Sequence, residues 1–201
     1  MSQETHASQH VGFRGLDVTQ LGVIVFVSSE AFFFLTLIIS YIAYHPVYVP
    51  ERGPTPQQAL NVPLTALFTV FLFSSSFTMG RATSLLGRLD VSGARRWLVV
   101  TVILGAVFLA GQAYEYSRLY QDSIRLGTNV WTSTFFTLTG FHGLHVLIGL
   151  ISILIATSLV QPLGGIVRGA RAVEGVSIYW HFVDAVWVVI FPVVYLWTLI
   201  S

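Results

Sequence analysis

The sequence predicts an all-α protein, a polytopic membrane helix bundle with five transmembrane helices. Three observations lead there. Only 9% of its 201 residues are charged and 54% are hydrophobic, whereas a soluble domain carries about 25% charged residues. Five stretches are apolar over the length a bilayer core demands, about 20 residues of helix. Most of the prolines and most arginines fall between those stretches, where chain turns would lie.

Residues 1–20 form a polar N-terminal segment without a basic start and an apolar core, so they do not read as a cleavable signal peptide. The first span is about 21–44 and is interrupted only by Glu30. The connection 45–62 holds four of the seven prolines, Pro46, Pro50, Pro54 and Pro56, and reads as an extended surface loop. The second span is about 63–86, with Arg81 close enough to its end to snorkel. The third is about 97–116. The fourth, about 131–158, lies in a stretch with no Asp, Glu or Arg. The fifth, about 178–200, contains His181 and Asp184. Residues 21–201 thus make one five-helix domain. Trp97, Tyr116, Trp131, Tyr179, Trp180 and Trp197 fall near the ends of these windows and read as interfacial belts.

Charge sets the expected orientation. All ten cations are Arg. Arg14, Arg81, Arg88, Arg95, Arg96, Arg168 and Arg171 fall on one side, and Arg52, Arg118 and Arg125 on the other. The positive-inside rule then places the N-terminus in the cytoplasm and, after five spans, the C-terminus outside. Arg81, Arg88, Arg95 and Arg96 cluster around the 85–97 loop and are candidate contacts for anionic lipid head groups. A net charge of +1 and the lack of a basic stripe argue against nucleic acid as a partner. With no cysteine, the chain cannot carry a disulfide, an iron–sulfur cluster or a thiolate haem. With no lysine, it can form neither a Schiff base nor a Walker A loop.

Ionisable residues inside spans are functional candidates, because each costs about 2.5–3.5 kcal/mol or more to insert. Glu30 sits mid-span with Phe26, Val27, Phe33 and Phe34 as its helical neighbours and no cation on its own helix. It is expected to be protonated. Its role is proton handling, a lipid contact, or donation of one hydrogen bond to another helix. His142 and His145 share a mostly small and polar face with Thr134, Leu138, Gly149 and Ser152. That face suits close interhelical packing and hydrogen bonding better than a metal site. His181 and Asp184 form a second pair at the same spacing, either a tautomer-fixing pair or a neutralising buried one. Glu115 ends the third span near the outer interface, where a charge is readily solvated.

Three functional classes compete. A haem protein needs facing axial histidines, and the predicted spans put His181 roughly 8–12 Å from the depth of His142 and His145. A stand-alone transporter needs a polar pathway, usually with a broken helix, and Pro192 is the only proline deep in a span. A non-catalytic subunit of a larger membrane complex fits best: five apolar spans, short loops and buried polar residues without a complete site.

Four blocks then carry a resemblance. Ser29-Glu30-Ala31-Phe32-Phe33 is similar to a Ser-Glu-x-x-Phe-Phe block, and Gln112-Ala113-Tyr114-Glu115-Tyr116 to Gln-x-x-Glu-Tyr. The segment from Ser133 to Val146, ending Thr139-Gly140-Phe141-His142-Gly143-Leu144-His145-Val146, resembles Ser-Thr-Phe-Phe-x-x-Thr-Gly-Phe-His-Gly-x-His-Val. Tyr179-Trp180-His181-Phe182-Val183-Asp184-Ala185-Val186-Trp187 resembles Tyr-Trp-His-Phe-Val-Asp-x-x-Trp. In this order the blocks resemble subunit III of the haem–copper terminal oxidases, cytochrome c or quinol oxidases. Its longer members have seven spans, and this chain resembles the last five, as short bacterial forms do. Related accessory subunits of nitric oxide reductase are the alternative context.

The resemblance implies a subunit with no haem, copper or other metal of its own and no catalytic residue. Haem and copper belong to partner subunits. The implied partners are the catalytic haem–copper subunit I, subunit II, small subunits and membrane phospholipids. The implied role is to sustain proton uptake and turnover in a bacterial cytoplasmic membrane. Glu30 then takes the place of the family's buried helix carboxylate. Glu115, His142, His145, His181 and Asp184 take the places of its other buried polar positions.

Overall fold

The structure, a computed structural model, describes residues 18–44, 55–160 and 166–199. The polar start of the chain, Pro46, Pro50, Pro54, Arg14 and Arg52 lie outside the described residues. Six α-helices follow one another: α1 Val18–Tyr44, α2 Pro56–Ala59, α3 Val62–Gly87, α4 Val91–Gln121, α5 Val130–Leu159 and α6 Ile166–Phe191. Five of them are long and apolar enough to cross a bilayer. Every regular element among the described residues is helical, as backbone satisfaction in lipid requires.

Local chemistry sets the helix starts. Asn61, Asp90 and Asn129 cap α3, α4 and α5, each side chain accepting a hydrogen bond from a first-turn N–H. Thr55 and Gln58 close a capping box around α2, with Pro56 in its first turn. So the described part of the predicted loop, from residue 55, holds a short helix. The predicted 85–97 loop is tighter than expected: Arg88–Asp90 alone joins α3 to α4. Leu89 takes a positive φ of 62° to make that turn. Serines and threonines in the spans bond back to carbonyls one turn earlier, as Thr36 does to Phe32 and Ser152 to Ile148.

Helices α3, α4, α5 and α6 close a ring in which each packs on the next and α6 returns to α3. Helix α1 lies outside the ring, against α5 and α6. Among its described side chains it buries only Phe34, Ile38 and Tyr41, one stripe at helical spacing, and leaves residues such as Phe32, 73% exposed, to the surroundings. Lipid is as apolar as leucine, so close packing and hydrogen bonds must hold the ring together.

The centre of the ring is a column of α6 side chains. Trp180 is fully enclosed and donates to Ser75 of α3 at 3.0 Å. Glycines admit it: a Cβ on Gly105 of α4 or Gly149 of α5 would lie 2.7 or 2.8 Å from its ring. Two turns on, Trp187 donates to Thr69 at 2.9 Å and stacks on His142 at 4.7 Å. Pro192 then has no N–H for the ladder, and the helix widens into a π-turn over Pro192–Leu196. Val194 and Tyr195 of this turn are both buried.

Two expectations are corrected here. Helix α6 begins at Ile166, twelve residues before the predicted window, because the helix continues through Arg171 and Glu174 beyond its most apolar part. Tyr179 and Trp180 are therefore deep in the helix, and Trp131, Tyr179 and Trp180 are buried core rather than interfacial belt. Likewise α4 runs from Val91 to Gln121, beyond the predicted 97–116 at both ends.

Candidate functional site

Helices α1 and α5 bring together two side chains that are 115 positions apart in sequence. Glu30 Oε2 lies 3.1 Å from His145 Nε2. Their side chains are 22% and 10% exposed, so the pair sits in the interface and not on the surface. The other ring nitrogen decides the proton count. His145 Nδ1 is 2.7 Å from the Phe141 carbonyl, which can only accept, so Nδ1 carries a hydrogen. Nε2 of a neutral ring is then an acceptor, and Glu30 must be the donor. If the proton crosses, the pair becomes carboxylate and imidazolium. Either way it is electrically neutral and holds one transferable proton. Phe34 packs edge-on to the His145 ring at 4.9 Å, and the Tyr179 hydroxyl donates to the His145 carbonyl at 3.1 Å. The polar partner missing from the helix of Glu30 is thus supplied from another helix.

His142, one turn away, behaves differently. It is fully buried between Phe34, Phe108 and Trp187. Neither ring nitrogen has a hydrogen-bond partner, so it makes none of the interhelical bonds expected of this face. The α4–α5 bonds come from its neighbours. Gln112 Nε2 donates to the Thr139 carbonyl at 2.6 Å, and the Tyr116 and Thr139 hydroxyls are 2.7 Å apart.

Glu115 is not a solvated interfacial charge. It is 5% exposed and accepts from the Tyr195 hydroxyl at 2.6 Å and the Thr65 hydroxyl at 3.1 Å. It therefore ties α3, α4 and the π-turn that follows α6 together. Tyr195→Phe removes the shorter bond and leaves a buried carboxyl short of a donor. A loss of about 1–3 kcal/mol of stability is expected, read as earlier thermal release of the chain from its detergent-solubilised complex.

His181 and Asp184 do not bond to each other. His181 Nδ1 lies 2.8 Å from the Ser76 hydroxyl of α3, and the residue is exposed rather than buried. Asp184 is buried beside the same Ser76, yet neither of its oxygens completes a hydrogen bond by distance and angle. The expected depth difference between these histidines is absent from the structure. His181 is 15 residues from the start of α6 and His145 is 14 from the end of α5, so the two are nearly level. Direction separates the rings instead: His142 is enclosed by aromatics, His145 is bonded to Glu30, and His181 is bonded to Ser76. Among the described residues, no group of three or more His, Cys, Asp or Glu could hold a metal ion.

Arg81, Arg88, Arg95 and Arg96 are all exposed around the α3–α4 turn. A groove of about 410 Å³ opens between α1, α5 and α6, lined by Val23, Phe26, Ile155, Ala156, Gly175 and Tyr179. Near its end Gln20 donates to Glu174 at 3.1 Å. Sequence reasoning passed over Thr65, Thr69, Ser75, Ser76 and Tyr195. Their only advance signal was a hydroxyl on an otherwise apolar face.

The model of the cytochrome c oxidase subunit III family matches residues 1–199. Curated relatives include cytochrome c oxidase subunit 3 of Synechocystis sp., 39% identical over 181 residues, which covers 90% of this chain and 76% of that one. The same subunit of Corynebacterium diphtheriae is 38% identical, covering 89% of this chain and 88% of that one. That of Thermostichus vulcanus is 36% identical over 194 residues, 96% of this chain and 92% of that one. The chain belongs to the cytochrome c oxidase subunit III family, and its five-helix bundle is the third subunit of a haem–copper oxidase.

Proposed function

We propose that this chain is the non-catalytic subunit of a proton-translocating terminal oxidase in a bacterial cytoplasmic membrane. It packs on the haem–copper catalytic subunit I, with subunit II and small subunits nearby, and keeps proton uptake and turnover going over many cycles. The observation that carries this reading is the 3.1 Å contact between Glu30 and His145 across α1 and α5, and in this reading that pair handles the proton. Phospholipid is its proposed ligand. The groove between α1, α5 and α6 has the apolar lining an acyl chain requires, and the exposed arginines at the α3–α4 turn suit anionic head groups. The test is removal of the chain from the purified complex. The haem spectrum and initial turnover are expected to persist while activity decays faster during sustained turnover. Unchanged decay would overturn the reading.

The proposed orientation puts the N-terminus and the α3–α4 turn in the cytoplasm. The chain has no cysteine, so Arg88→Cys gives a single labelling site. An impermeant maleimide is expected to label it in inverted vesicles and not in intact cells. The reverse pattern would invert the topology. Each arginine near an anionic surface contributes about 1 kcal/mol, so neutralising Arg81, Arg88, Arg95 and Arg96 together should loosen anionic lipid measurably.

A further inference from the structure

One part of the surface has polar groups left over at the wrong depth. His181 stands 12 residues from one end of the Gly169–Leu196 span and 15 from the other. At 1.5 Å per residue that is about 18 Å or more from either end, beyond the reach of a snorkelling imidazole. The residue is nevertheless exposed, and its Nε2 has no hydrogen-bond partner among the described residues. Directly beneath, the Asp184 carboxyl is 5% exposed with both oxygens unbonded. Acyl chains offer neither group a partner. Small residues flank the spot. A Cβ on Gly80 of α3 would meet nothing within 4 Å, and Ala185 of α6 is exposed. A helix backbone can therefore approach closely here.

We propose that the outward strip of α6 around His181, with Ser76 and Gly80 of α3, docks a transmembrane helix of the catalytic subunit that presents an uncharged hydrogen-bond donor, a hydroxyl, carboxamide or indole N–H, to His181 Nε2. Donation to Nε2 places the ring hydrogen on Nδ1, which then donates to the Ser76 oxygen. The Ser76 hydroxyl hydrogen is thereby freed to turn to Asp184. One incoming donor satisfies the exposed ring, and through Ser76 it also supplies a donor to one oxygen of the buried carboxyl. This inference names the docking face of the subunit role proposed above and rests on that reading.

The experiment uses the intact complex. A photo-crosslinking benzoyl-phenylalanine replaces Ala185, and in a control Leu147 of α5, which is 43% exposed on the α4–α5 side. The Ala185 probe is expected to capture the catalytic subunit and the Leu147 probe is not. His181→Leu and Ser76→Ala are each expected to reduce the chain retained after detergent washing several-fold, while the isolated variants keep their helical circular dichroism. Capture from Leu147 alone, capture of a second copy of this chain from Ala185, or full retention of both variants would overturn the docking face and leave the subunit role standing. Failure of the wild-type chain to co-purify with any haem–copper subunit would overturn the subunit role itself.

Discussion

Glu30→Gln is expected to assemble normally and yet lose more than half of sustained turnover, with the haem spectrum intact. The carboxamide has the size of the carboxyl and can still donate an N–H to His145 Nε2, so the α1–α5 hydrogen bond survives. The amide cannot give up a proton and take it back, so the one transferable proton of the pair is gone. Glu30→Ala removes the bond as well. It leaves Nε2 unpartnered in an interface where the side chain is only 10% exposed, at a cost of about 1–3 kcal/mol. That variant should also shed the chain more readily from the complex. In infrared difference spectra the intact complex should show a protonated-carboxyl band that disappears in Glu30→Gln. A Gln variant that turns over like wild type throughout would make the pair a structural bond only. A carboxylate band in place of the acid would put the proton on His145.

The second large effect concerns the column at the centre of the ring. Trp180→Ala is expected to destabilise the bundle by about 3–5 kcal/mol, the range for removing a large buried aromatic side chain. The indole fills the space left by Gly105 and Gly149 and bonds Ser75, so it touches α3, α4 and α5 at one level. Gly149→Leu should destabilise for the opposite reason, since its first added carbon lies 2.8 Å from the indole. Because the two changes act on one volume, they should not add. The double variant should recover part of the loss, with an interaction energy of about 1 kcal/mol or more. Strict additivity in thermal release of the chain would show that Trp180 and Gly149 do not pack as described.

Composition and hydropathy determined the class, the five crossings and the helical character. These depend on sums over twenty-residue windows, and a bilayer allows few ways to satisfy a backbone in such a window. The same reasoning found Glu30, Glu115, His142, His145, His181 and Asp184, since any ionisable residue in a span stands out. It did not assign their surroundings. Glu30 appears without a cation when its own helix is read, yet its partner is His145, which reaches it only after α1 has docked on α5. Glu115 sits near the end of an apolar window and looks solvated, yet Tyr195 closes over it. Tyr195 lies in the π-turn that starts at Pro192, which no periodicity of the sequence displays. Trp180 lies at the edge of an apolar window and looks interfacial, yet the helix starts twelve residues earlier and the ring fills the core. Hydropathy reports where lipid can solvate a helix. Which face of that helix meets glycine, hydroxyl or imidazole depends on rotation and contact between helices, and those are properties of the packed bundle alone.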